Sequence, residues 1–281
     1  MRLTTRVHDR DVAGMTYVYP VVSRRAGGVS VGVNLNPNNA CNWRCVYCQV
    51  PNLVRGAGPD IDLELLESEL DTMLRAITQG DYMERHVPER ARRWNDVAFS
   101  GNGEPTSSPQ FAEAIGVVRE VVARYPQEEP VKLVLITNGS LVHQPRVQEG
   151  LSALAAAGGE VWFKMDSGTD EGIRRMNDAS TTTERTRERL VTCAGLAPTW
   201  VQTMVLKRAG EPPTEAECTA YLDALADVLA RGATLEGVLL YGLARTSYQP
   251  EATELAPLPG AWMQAYAARI EALGLEVRLS L

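Results

Sequence analysis

No apolar run in this 281-residue chain approaches the ~20 residues that a helix needs to cross a bilayer. Residues 1–11 are polar and mixed in charge, without the apolar stretch of a secretory signal. No membrane contact is expected, and the expected location is cytoplasmic. Basic residues are in deficit: 28 Lys and Arg stand against 35 Asp and Glu, a net charge of −7. A surface that grips nucleic acid carries the opposite balance, so such a partner is disfavoured. The basic run formed by Arg85, Arg90, Arg92 and Arg93 around Pro88 reads as a solvated segment. Low-complexity stretches and internal linkers are missing too. The expectation is one domain over residues 1–281, with a core at about 30–250 between N- and C-terminal extensions. Cysteine is scarce, and in a reducing compartment the five residues present do not make a disulfide framework. Three of them nonetheless crowd into the eight positions 41–48, and that clustering needs another cause.

What is present in quantity is an alternation of strand and helix. Runs rich in β-branched residues and bounded by turn residues predict six strands, over 31–36, 96–100, 132–137, 160–166, 200–207 and 237–245. Between them apolar residues recur at helical spacing. Leu63, Leu66, Leu70, Met73, Leu74 and Ile77 share one face, with Asp60 or Asp62 as a cap. A second helix is expected over 109–125, with Pro109 in its first turn and Phe111, Ile115, Val118 and Val122 facing the sheet. Thr214 followed by Glu217 predicts a capping box at the start of a helix that turns Tyr221, Leu222, Leu225 and Leu229 inward. A last helix over 261–273 and a strand over 276–281 follow a Pro-rich connection. The first ~30 residues do not fit the repeat and suggest an added hairpin or flap. The α/β alternation implies parallel strands joined by right-handed crossovers, in an open sheet or a partial barrel. In either case functional groups gather at the carboxyl ends of the strands.

Just past the first of these strands the chain reads Cys41-Asn-Trp-Arg-Cys45-Val-Tyr-Cys48. Three thiolates in one loop can ligate three irons of a cubane cluster and leave the fourth open to a cofactor or substrate. Soft thiolates also suit zinc. A structural zinc site needs a fourth ligand, and His8, His86, His143, Cys193 and Cys218 lack a paired spacing with the loop. Cys193 and Cys218 sit at helical spacing from Leu190 and from Tyr221 and Leu222, and read as small core residues.

This cysteine loop, with Tyr47 before its last cysteine, resembles that of the radical S-adenosylmethionine (SAM) superfamily. After the second strand, Ser100-Gly101-Asn102-Gly103-Glu104-Pro105 is similar to the family's Gly-Gly-Glu motif, with Asn102 displacing a glycine. The likeness spans residues ~30 to 250 and extends to a branch that holds wyosine-type transfer-RNA base synthases and related iron–sulfur oxidoreductases. It implies a partial (β/α)6 TIM-type barrel with N- and C-terminal extensions. It also implies a 4Fe-4S cluster on Cys41, Cys45 and Cys48, and SAM held near Tyr47 and the turn Ser100, Gly101, Asn102, Gly103 and Glu104. Asn138, Lys164 and Asp166 at later strand ends complete that cofactor-binding set. The implied activity is reductive cleavage of SAM to a 5′-deoxyadenosyl radical that abstracts hydrogen from a small-molecule or peptide substrate. A one-electron reductant such as flavodoxin or ferredoxin is the implied partner.

Asn138, Gln202, Tyr241 and Arg245 are candidates for substrate handling, and Tyr241 and Arg245 share one strand-face parity. Arg245, Tyr248 and Gln249 are candidates for a lid. The rival readings are a transfer-RNA base-modifying enzyme, an activase for a glycyl-radical partner, an iron–sulfur electron carrier or sensor, and a zinc-stabilised binding module. The absence of a second cysteine cluster and the acidic balance weigh against a wyosine-type activity.

Overall fold

The computed structural model describes residues 3, 13–23 and 27–281. Its main sheet has eight strands in sequence order. They are β1 (Val18–Val22), β2 (Val29–Val33), β3 (Trp94–Phe99), β4 (Lys132–Thr137), β5 (Glu160–Lys164), β6 (Thr199–Val205), β7 (Gly237–Gly242) and β8 (Val277–Ser280). β1 runs antiparallel to β2, and every later pairing is parallel. The sheet curls into a half-barrel whose two edge strands, β1 and β8, are its ends. This is the partial (β/α)6 barrel, with β1 and β8 added at the flanks.

Seven main helices connect the strands: α1 (Leu63–Thr78), α2 (Phe111–Ala123), α3 (Pro145–Ala156), α4 (Asp170–Asn177), α5 (Thr183–Leu196), α6 (Glu215–Ala230) and α7 (Gly260–Glu271). Successive strand residues point to opposite faces. Val97, Phe99, Leu133, Leu135, Val161, Phe163 and Val201 pack outward with the helices. Ala98, Val134, Trp162, Trp200 and Leu239 form a separate apolar floor on the concave face. Apolar residues on both faces are what strands buried on both sides require. Among the described residues no helix is long and apolar enough to cross a membrane.

Several strand ends differ from those expected. The first repeat strand spans Val29–Val33 and stops at Asn34, whose side-chain oxygen accepts the Asn36 N–H at 3.1 Å. The fifth and sixth of the expected strands end early, at Val205 and Gly242. Pro109 lies outside α2: Gln110 stands at the N-cap position, and its side chain accepts the Ile61 N–H at 2.7 Å rather than capping the helix. Two helices, α4 and α5, fill the connection after β5. The expected N-terminal hairpin is β1 with β2, though residues 1–2, 4–12 and 24–26 lie outside the described set.

Candidate active site

β2 runs into a segment that asparagines tie down. Asn34 Oδ1 accepts the Asn102 N–H at 3.0 Å, and Asn36 donates to the Ala40 carbonyl at 3.0 Å and to Ser107 Oγ at 3.1 Å. Asn39, at φ +55°, accepts from Asn102 Nδ2 at 2.6 Å. Asn and Asp tolerate this left-handed backbone better than other side chains. The turn after β3 is thereby bound to the approach to the cysteine loop. Gly101, at φ +138°, and Gly103 leave no room for a side chain: an added Cβ would strike Asn34 in the first case, and Ala40 and Asn36 in the second. The close approach is to the side chains of Asn34 and Asn36 and to the Ala40 carbonyl.

Cys41, Cys45 and Cys48 line one cavity of about 290 Å³ at the carboxyl ends of the strands, together with Tyr47, Ser100, Gly101, Asn102, Gly103, Glu104, Asn138 and Lys164. Gln202, Tyr241 and Arg245 line it as well. A larger space of about 860 Å³ opens at the other end of the sheet, beside Trp94, Lys132 and Glu160, the first residues of three strands. None of the cysteines reaches it, and the chemistry-bearing residues are in the smaller cavity.

The loop's thiols are partly buried. Burial first, and then the charges of Glu104 and of the other two cysteines, push the Cys41 thiol up to about 12. Burial does the same to Cys45, to about 11, against the opposing charge of Lys164. Sulfurs that raise one another's proton affinity call for cationic metal, which stabilises thiolates and displaces their protons. Soft donors in one loop fit an iron–sulfur cluster, each thiolate taking one iron. Among the described residues no three His, Cys, Asp or Glu groups converge on a single ion. Cys193 and Cys218 are buried in the main core, and His143 is exposed. His8 lies outside the described residues.

Glu104 is 2% exposed, and burial raises its pKa against four stabilising hydrogen bonds. Its Oε1 accepts from Thr106 Oγ1 at 2.7 Å and Thr137 Oγ1 at 2.6 Å, and its Oε2 accepts the Asn138 N–H at 2.7 Å. Oε2 retains acceptor capacity toward an amino group. Asn138 spends its own side chain locally, donating to Asn42 at 2.8 Å and accepting the Ser140 N–H at 2.9 Å. It therefore braces Asn42 inside the cysteine loop while lining the cavity.

Lys164 and Asp166 do meet, at 3.9 Å, with the Asp166 side chain wholly enclosed. Asp166 accepts from Tyr47 Oη, from Asn177 Nδ2 at 2.7 Å and from the Met204 N–H at 2.9 Å. These bonds engage its carboxylate within the protein, so its observed work is to orient Tyr47. Lys164 donates to Tyr47 Oη at 2.8 Å and Tyr241 Oη at 3.2 Å. Burial alone would lower its pKa, but Asp166, Tyr241 and Cys45 outweigh burial and hold it well above the ordinary value. The same burial, with Asp166 beside it, raises the Tyr47 phenol.

The segment expected to close as a lid is fastened down instead. Ser247 Oγ donates to the Val46 carbonyl at 2.7 Å, the Tyr248 N–H to Cys48 O at 2.9 Å, and Gln249 Nε2 to Val50 O at 3.4 Å. Loop carbonyls take these donors, which makes the segment a brace. On the opposite flank Arg44 forms a two-pronged pair with Glu251, both contacts at 2.8 Å, and reaches Asp178 at 2.9 Å. Asn177, Asp178, Ser247 and Glu251 were all missed in the sequence. A polar residue at a helix end or in a loop gives no sign of which distant loop it will meet.

The family model of the radical SAM superfamily matches residues 35–211. A UPF0026 protein of Helicobacter pylori is 30% identical over 135 residues, covering 47% of this chain and 37% of that protein. The chain thus spans well under half the length of the curated relatives it matches. The structure of TYW1 with a lysine-pyruvate adduct bound superposes with a TM-score of 0.56 at 15% identity, over 89% of this chain and 74% of that one. A radical SAM methyltransferase from Sphaerobacter thermophilus gives 0.53 at 13% identity, over 90% and 66%. At such identities the two structures share the fold with this chain.

Proposed function

This chain belongs to the radical SAM superfamily of iron–sulfur enzymes, and from that premise we propose that it abstracts hydrogen from a small-molecule or peptide substrate in the cavity beside its cysteine loop. The observation that carries the reading is the meeting of Cys41, Cys45, Cys48, Tyr47, Glu104 and Lys164 around one cavity. Cys41, Cys45 and Cys48 would hold a 4Fe-4S cluster. Bound together, the cluster and SAM supply a 5′-deoxyadenosyl radical as the hydrogen-abstracting agent. The protein's part is binding, orientation and the exclusion of water.

Binding and orientation have named residues. Lys164 offers a fixed positive charge to a carboxylate, since Asp166 and the two phenols keep it an ammonium. Glu104 offers Oε2 to an amino group in the same cavity. Tyr47 presents a ring held from below by Asp166. Asn138, Gln202, Tyr241 and Arg245 line the cavity as substrate-handling candidates, Arg245 suiting a carboxylate or phosphate through its planar fork. A small one-electron carrier protein of the flavodoxin or ferredoxin kind is the proposed reductant.

The TYW1 structure carries a lysine-pyruvate adduct. A lysine that bonds covalently to a keto acid must first be a neutral amine. Lys164 is held in the opposite state, so its proposed role is electrostatic. A transfer-RNA substrate also suits this chain less well, because phosphate contacts are made by Lys and Arg and acids exceed them here. The test is anaerobic reconstitution with iron and sulfide, addition of dithionite and SAM, and chromatography for 5′-deoxyadenosine. Product from the wild-type protein and none from Cys45→Ala is the expected result. A protein that takes up one zinc and no cluster would overturn the proposal.

A further inference from the structure

The cysteine loop leans on the carboxyl-terminal end of α4. Two of that helix's last carbonyls, which lack partners within the helix, take loop donors: the Arg44 N–H meets Asn177 O at 3.1 Å and the Val46 N–H meets Met176 O at 2.9 Å. Trp43, between the first two cysteines, packs with Ile173 and Ala179 on either side of the helix end. Asp178 follows in a left-handed conformation, φ +45°, which turns its carboxylate back to Arg44 at 2.9 Å and Arg55 at 2.8 Å. The loop and the helix end are therefore joined by backbone hydrogen bonds, apolar packing and ion pairs.

At the centre of that contact Asn177, 1% exposed, donates its side-chain amide to Cys45 Sγ at 3.3 Å and to Asp166 Oδ2 at 2.7 Å. Both partners are acceptors, so the amide nitrogen, and not its oxygen, must face them. The other nearby asparagine amides are spent elsewhere: Asn42 Nδ2 on Ser140 at 2.7 Å and Asn138 Nδ2 on Asn42 at 2.8 Å.

We propose that Asn177 is a positioning residue that holds the Cys45 sulfur in an N–H···S hydrogen bond, raises the reduction potential of the cluster bound there, and ties that potential to Asp166. The inference rests on the proposed function, since it needs a cluster on the three cysteines. A donor to a ligating sulfur stabilises the extra negative charge of the reduced state, and such bonds are among the levers that set cluster potentials. Because one NH2 group serves both Cys45 and Asp166, anything that pulls on Asp166 or on Tyr47 above it reaches the sulfur. Cofactor occupancy and ease of reduction are thus linked through a single side chain.

The test uses redox titration of the reconstituted cluster, followed by electron paramagnetic resonance, without substrate. Asn177→Leu keeps the volume and removes the donor. It is expected to load iron and sulfide like the wild type and to show a more negative midpoint. Asn177→Asp, which sets a carboxylate against the sulfur, is expected to shift it further the same way. Independently, wild-type protein carrying a heavy-nitrogen label on the asparagine side-chain amide is expected to show a nitrogen coupling to the reduced cluster. An unshifted midpoint in a fully loaded Leu variant overturns the inference. If that variant fails to load, an absent coupling in the labelled wild type overturns it just as well. A wild-type protein that holds no cluster removes the proposed function itself, an outcome that iron analysis tells apart from the other two.

Discussion

At Gly103 an added methyl group would meet the Ala40 carbonyl and the Asn36 side chain, and the neighbour that must yield is backbone. Gly103→Ala should therefore destabilise the fold by about 1–3 kcal/mol, the usual cost of overpacking. Differential scanning calorimetry should find its Tm several degrees below wild type, and an unchanged Tm would mean that the turn can shift. Gly116, in the middle of α2, has a helical backbone and open space where a Cβ would stand, with nothing within 4 Å. Gly116→Ala should raise stability by roughly 0.5–1 kcal/mol, because alanine loses less conformational freedom on entering a helix. A fall in Tm for this variant would sink the distinction between the two glycines. The cysteines and the Ser100–Glu104 turn were readable because their spacing lies within one loop each. The Asn34, Asn36 and Asn39 contacts were not, although three asparagines just before a metal-type loop are a usable sign of backbone held by side chains.

Elements were legible where local chemistry decides them. Asp62 caps α1 by accepting the Leu65 N–H at 3.0 Å, and Thr214 with Glu217 forms a complete capping box at α6. Thr214→Ala leaves the Glu217 N–H without its cap, and should cost about 1 kcal/mol of stability. The check is a chemical-denaturation midpoint, with a shift of zero counting against the cap as a stabiliser. β4 was read to the residue, because its apolar run is bounded by Lys132 and by the Asn138–Gly139 turn. The connection after β5 carries two helices. Asp178 in a left-handed conformation ends α4 there, and Thr182 starts α5 by accepting the Arg185 N–H at 3.2 Å. The reason for that break is tertiary: Asp178 is turned toward Arg44 and Arg55, residues more than a hundred positions earlier.

Over the whole molecule, the order of six strand–helix repeats made the half-barrel legible, while the fastening of its active end was hidden. The cysteine loop is pinned from two remote directions, by Asp178 after α4 and by Glu251 before α7. Both carboxylates bind Arg44, and both have lowered pKa values. For Glu251 the leading cause is its hydrogen bond to Arg44, and for Asp178 the bonds to Arg44 and Arg55 outweigh the burial that opposes them. A carboxylate whose pKa is lower folded than unfolded adds stability that is fully present above its unfolded pKa. That stability disappears as pH falls through the folded value. The window therefore begins near the ordinary values of 4.5 for Glu251 and 3.8 for Asp178 and extends below them. Glu251→Gln removes one such group. At pH 7 the variant should melt a few degrees below wild type, a loss on the order of 1 kcal/mol for a partly buried, two-pronged pair. As pH falls below 4.5 the gap between the two proteins should shrink, because the wild-type Glu251 takes up a proton and loses the same interaction. Thermal melts of both proteins across this range check the claim. A gap of constant size from pH 7 to pH 3 would show that Glu251 holds the loop by shape rather than by charge.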